Sequence, residues 1–129
     1  LFRSLFEGNI HTYRQIFMNR AHTPDPDPTW YGDSVAKWEG DTLVVDSIGF
    51  RDDTWIDWNG SILTEAAKVR QEYRRPDFGH LEVRITVDDP KAYTKPWAVT
   101  LKQRIVVDTE LVDEMCMENE QSLQHLKKK

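Results

Sequence analysis

The chain has 129 residues, of which 39% are hydrophobic and 30% charged, a composition that supports one domain with its own core and excludes a disordered chain. A formal net charge of −5 argues against a nucleic-acid partner, since affinity for a phosphate backbone comes from clustered Lys and Arg. No apolar run approaches the roughly 18 residues of a membrane helix, so no membrane partner is expected.

The sequence opens at Leu1 on strand-like residues, with no charged and apolar leader ahead of them; a secretory signal is expected to be absent or already removed. Phe2 to Phe6 and Ile10 to Met18 read as two strands joined by the turn-forming Glu7, Gly8 and Asn9. In the second strand Thr12, Arg14, Ile16 and Met18 share one face, and His11, Tyr13, Gln15 and Phe17 the other. Neither face is cleanly apolar: His11, Arg14 and Asp46 would line a polar barrel interior, whereas in a packed one they point to solvent, the expected case for Arg14. The strand Phe2 to Phe6 would lie at a sheet edge, where it could pair with a second copy as a homodimer.

From Asn19 to Asp33 the alternation is lost, because Pro24, Pro26 and Pro28 interleave with Asp25 and Asp27. This reads as a long loop, and long loops carry function disproportionately. Ser34 to Glu39 and Thr42 to Ile48 flank Gly40-Asp41, a Gly-first pair suited to a type II′ turn. Pairing across it sets Trp38 opposite Leu43 and Ala36 opposite Val45. A second irregular stretch, Gly49 to Gly60, holds Asp52, Asp53, Trp55, Asp57 and Trp58, and Ser61 to Ala67 is expected to form one or two helical turns capped by Thr64.

Lys68 to Arg75 and Leu81 to Asp88 alternate strictly, and one register pairs Val69 with Val87, Tyr73 with Val83, Arg74 with Glu82 and Glu72 with Arg84. Trp97 to Val107 and Leu111 to Met117 predict a last hairpin, with Glu118 to Lys129 as a short helix or solvated basic tail. Cys116, between Met115 and Met117, has no internal disulfide partner and reads as a buried strand thiol. The sum is a single all-β domain over 1–129, an antiparallel meander of about eight strands. It is expected to close as a lipocalin-like barrel or half barrel, which removes unpaired edges, with a two-sheet sandwich as the alternative.

Four segments carry a resemblance: Pro28 to Val35 (PTWYGDSV), Trp38 to Asp46 (WEGDTLVVD), Gly49-Phe50, and Asp88 to Trp97 (DDPKAYTKPW). Together they resemble a family of uncharacterised soil-bacterial proteins, abundant in acidobacterial genomes, with no settled activity. The resemblance runs from Glu7 to about Asn119 and implies a C-terminal portion of a longer, exported (periplasmic or secreted) protein. It also implies histidines around Ile62 and at Lys68, where this sequence has none. It implies no mechanism.

His22, Asp25 and Asp27 have the donor types of a metal site, but their spacing matches none and Asp-Pro repeats build turns; no metal and no cofactor are expected. Trp30, Tyr31, Trp55, Asp57 and Trp58 combine aromatic faces with carboxylates, which suits an aromatic or carbohydrate-like ligand as well as an aromatic plug at a barrel end. Asp33, beside Trp30 and Tyr31, would be partly desolvated and raised in pKa toward acid–base use, or else cap Ser34 and Val35.

The charged ladder of Arg70, Glu72, Arg74, Glu82, Arg84, Lys102 and Arg104 fits a solvated face or a polar cavity equally. No phosphate loop, nucleophile elbow or paired-Cys motif occurs. Three functions follow as expectations. The first is a small-molecule-binding barrel mouth formed by loops 21–33 and 51–60. The second is a cofactor-independent hydrolase, lyase or isomerase using Asp33 or Asp46 with His22 or His11. The third is an accessory or dimerisation domain.

Overall fold

A computed structural model describes residues 2–6, 12–57 and 59–109. Within them the protein is all-β, and no helix occurs among the described residues. The strands are β1 (Phe2–Phe6), β2 (Thr12–Met18), β3 (Asp33–Glu39), β4 (Thr42–Ile48), β5 (Thr54–Trp55), β6 (Ile62–Leu63), β7 (Lys68–Asp77), β8 (His80–Asp88) and β9 (Trp97–Arg104). One seven-stranded sheet has the order β1-β2-β3-β4-β7-β8-β9, and β5 pairs with β6 alone. The sheet is not closed among the described residues. The expected strand Leu111 to Met117, the tail from Glu118 and Cys116 lie outside them.

The two hairpins with the clearest alternation form in the expected registers. Trp38 pairs with Leu43 and Ala36 with Val45 across a turn whose Gly40 has φ +59°. Val69 pairs with Val87, Tyr73 with Val83, Arg74 with Glu82 and Glu72 with Arg84, with a register shift only between Arg74 and Asp77. The meander is broken at one place. β2 runs parallel to β3, through Phe17 with Val35 and Met18 with Ala36, because the proline-rich segment 19–32 carries the chain back before β3 begins.

That return is fixed by backbone contacts. Thr29 N–H donates to the Gly49 carbonyl at 3.1 Å and Arg51 N–H to the Thr29 carbonyl at 3.1 Å. Gly32 and Gly49 adopt φ +66° and +71°, and a Cβ there would lie 2.5 Å from the Ile48 carbonyl oxygen and 2.7 Å from Pro26 Cγ respectively. The expected helical turns of Ser61 to Ala67 are replaced by β6 and a single turn. In that turn Ala66 N–H donates to Thr64 Oγ1 and Ala67 N–H to the Thr64 carbonyl. Thr64 caps as its residue type predicts, but the segment is too short to continue as helix.

Strand periodicity sorts the side chains onto two faces. One buries Ile16, Ala36, Leu43 and Val45 with Met18 and Tyr73 against them. Further along the same face Val69 and Val87 join Phe50, Leu63 and Ala67 from segment 49–67 in a second cluster, flanked by Ile85, Tyr93 and Trp97. The opposite face carries the charged ladder: Arg70 meets Asp46 at 3.5 Å and Glu39 at 3.7 Å, Arg84 meets Glu72 at 3.7 Å and Lys102 meets Glu82 at 3.9 Å. These exposed pairs are screened by solvent and contribute little to stability.

Candidate functional site

Between the two apolar clusters the inner face turns polar. Arg14 on β2 is 8% exposed, and its guanidinium lies among neutral oxygens. Nε donates to Ser34 Oγ at 3.1 Å, Nη2 donates to Ser34 Oγ at 2.9 Å and to Ser47 Oγ at 2.5 Å, and Nη1 donates to Gln71 Oε1. Ser34 and Ser47 also share a 3.0 Å hydrogen bond. The expectation that Arg14 faces solvent is therefore overturned. It follows Ile16 and Met18 inward, as period-two strand geometry requires once that face is the core side. Burial, the largest influence, pushes its pKa below the ordinary arginine value, with Tyr73 and Tyr31 opposing. Among the described residues no carboxylate pairs with it; the ion pairs that form lie elsewhere.

Arg14 borders an open pocket of about 530 Å³. Its walls are mainly apolar, from Val69 on β7, Ile85 and Val87 on β8, and Trp97, Val99 and Leu101 on β9. Segment 49–67 closes one side with Phe50, Thr54, Trp55, Ile56, Asp57 and Leu63, and Trp30 and Tyr31 come from the long loop. Trp30 is 54% exposed and Trp55 70%, so these aromatics form a rim rather than a packed plug. The Arg51 guanidinium stacks 4.4 Å from the Trp30 ring and pairs with Asp53. Thr54 Oγ1 and Trp97 Nε1 are buried with no hydrogen-bond partner among the described residues, and both residues belong to the pocket lining.

The structure thus brings Trp30, Tyr31, Trp55 and Asp57 to one pocket. Asp57 also closes the β5–β6 turn: its carboxylate accepts from Ser61 Oγ at 2.6 Å and from the Asn59 and Ser61 amides. Trp58 and His11 lie outside the described residues.

Asp33 and His22 meet, with His22 Nδ1 at 3.0 Å from Asp33 Oδ2, but they stand apart from the pocket lining. Asp33 also accepts from Thr23 N–H at 2.9 Å and from Arg20 at 2.6 Å, and Arg20 stacks 3.8 Å from the Phe17 ring. Asp33 therefore latches the start of the long loop to β3. Partial burial, the largest influence, pushes its carboxyl up, but the Thr23 amide, His22 and Arg20 outweigh it and hold the pKa below the ordinary value. That direction is opposite to the one anticipated for an acid–base carboxyl.

Asp46 lies on the outer face against Arg70, remote from the pocket. Asp25 and Asp27 border a separate recess with Glu65 and Lys68, and no group of three His, Cys, Asp or Glu side chains could hold a metal ion among the described residues.

Sequence reading missed Ser34, Ser47, Gln71, Thr54 and Trp97 as site residues, and placed Arg14 inside only for a polar barrel interior. A signal for the polar knot existed: the register that pairs Ala36 with Val45 also sets Ser34 opposite Ser47, two small polar residues on a core face. Compared with protein-family models, curated proteins and solved structures, the chain has no match.

Proposed function

We propose that the protein is a small-molecule-binding half barrel of lipocalin-like shape, whose ligand is an apolar or aromatic molecule held on the inner face of the sheet. The observation that carries this reading is the pocket of about 530 Å³ with walls from β7, β8 and β9, Arg14 of β2 at one end and an aromatic rim. Pockets of this volume and lining suit small organic ligands. Curvature is supported by the contact of Arg14 with Gln71, because β3 and β4 lie between β2 and β7. Three strand spacings of ~4.8 Å are more than two side chains bridge comfortably over a flat sheet. A carbohydrate is the weaker fit, since its many hydroxyls would face Val, Ile and Leu side chains and lose their hydrogen bonds to water.

The test is saturable binding of the neutral fluorophore N-phenylnaphthylamine. Its emission is expected to rise on addition of the protein, and the Val99→Trp variant, which fills the pocket from β9, is expected to suppress the rise. No emission change with the wild-type protein, or an undiminished one in Val99→Trp, would refute the reading. Acid–base catalysis by Asp33 and His22 has less support, because that pair lines no part of this pocket.

A further inference from the structure

We infer that the pocket selects ligands bearing a single carboxylate on an apolar body, with the carboxylate seated on the Arg14 guanidinium. This rests on the small-molecule reading above and names its ligand class. Arg14 sits in the lining at 8% exposure, so its charge is desolvated where a ligand would lie. Among the described residues the hydrogen bonds of its guanidinium go to Ser34, Ser47 and Gln71, neutral groups that orient the fork without cancelling its charge. A buried charge with no opposite partner is costly to hold out of water, so an incoming group of opposite charge is favoured at that place.

Arg51 is paired with Asp53 at 2.9 Å, and the Asp57 carboxylate is engaged by Ser61 and Asn59. Thr54 Oγ1 and Trp97 Nε1 add two buried groups with no partner among the described residues, each able to donate to a ligand oxygen. With four of its five N–H groups given to Ser34, Ser47 and Gln71, the Arg14 guanidinium keeps one Nη1 N–H for a ligand oxygen; a carboxylate accepts that bond and carries the one charge that Arg14 can balance, whereas a phosphate dianion would leave a negative charge in an apolar pocket. The ring of Val69, Val87, Val99 and Leu101 then receives the apolar body.

The experiment is displacement of N-phenylnaphthylamine by decanoate and by decanol, equal in chain length and different in charge, at a pH well above the carboxylate range. Decanoate is expected to displace the probe at least about tenfold more tightly than decanol, the difference one charge-assisted hydrogen-bonded pair supplies. Gln71→Glu, which sets a carboxylate against the same guanidinium, is expected to abolish that preference, read as the ratio of decanoate to decanol affinity within the variant itself. Equal displacement by decanoate and decanol, or a preference that survives Gln71→Glu, overturns the carboxylate inference and leaves the small-molecule reading standing. Failure of the probe itself to bind wild-type protein overturns both.

Discussion

Asp89 is 1% exposed, yet it stays ionised because donors surround it. Thr64 gives its amide at 2.7 Å and its hydroxyl at 2.8 Å, and the Lys91 and Ala92 amides follow at 3.1 Å and 3.3 Å. Burial, the largest influence, raises its pKa, but these bonds outweigh it and hold the carboxyl below the ordinary value. Asp89→Ala, which strands the Thr64 groups, should cost on the order of 3 kcal/mol in denaturant unfolding. Asp33 and Asp89 both have folded-state pKa values lowered relative to the ordinary carboxyl. Their contribution is therefore fully present above the unfolded value of about 4 and is lost as pH falls through the folded values. Unfolding midpoints measured from about pH 6 to about pH 3 should drop, and Asp89→Asn should flatten the slope; a midpoint that rises on acidification would contradict this. Asp followed by Pro90 is a turn signature, since an Asp side chain accepts from backbone amides two and three residues on and Pro presets φ at the next position. Arg14 was less legible, because parity aligned it with Ile16 and Met18 while its charge argued for solvent, and only packing decides which prevails.

At the scale of elements, what was legible depended on alternation bounded by turns. β3–β4 and β7–β8 each offer one register that satisfies both faces, so their pairing follows from the residues. β5 and β6 have two residues each, too few for a period to show, and pair through Thr54 with Leu63 and Trp55 with Ile62. The parallel β2–β3 contact was illegible for another reason: a long proline-rich connection specifies neither direction nor register. Its geometry is held by positions that tolerate little change. Gly49→Ala should cost about 1–3 kcal/mol, since φ is +71° and the added Cβ would meet the Pro26 ring at 2.7 Å. Gly40→Ala, at φ +59° with nothing within 4 Å, should cost only about 1 kcal/mol. Equal losses in the two thermal scans would remove the steric account of Gly49. At the other end of the connection, Asp33→Ala should lower stability by about 1–2 kcal/mol through release of Thr23, His22 and Arg20, and leave probe affinity unchanged. A large loss of affinity would reassign Asp33 to the ligand site.

Over the whole molecule, the two faces of the sheet divide the work. The outer face pairs charges with one another, through Arg70, Glu72, Arg84 and Lys102, and among the described residues the inner face holds the Arg14 guanidinium against neutral hydrogen-bond partners beside a mainly apolar pocket. Composition and periodicity predicted an all-β chain, and the aromatic loops suited a ligand rim and a packed plug alike. Contacts between distant strands, such as Arg14 with Gln71 at the pocket, leave no local pattern in the sequence. The most direct test is indole N–H NMR during titration with N-phenylnaphthylamine. Trp30, Trp55 and Trp97 line the pocket, while Trp38, 62% exposed, does not and serves as an internal control. The account predicts saturable shifts of the Trp30, Trp55 and Trp97 resonances with Trp38 unmoved; shifts confined to Trp38, or spread equally over all of these residues, would contradict it.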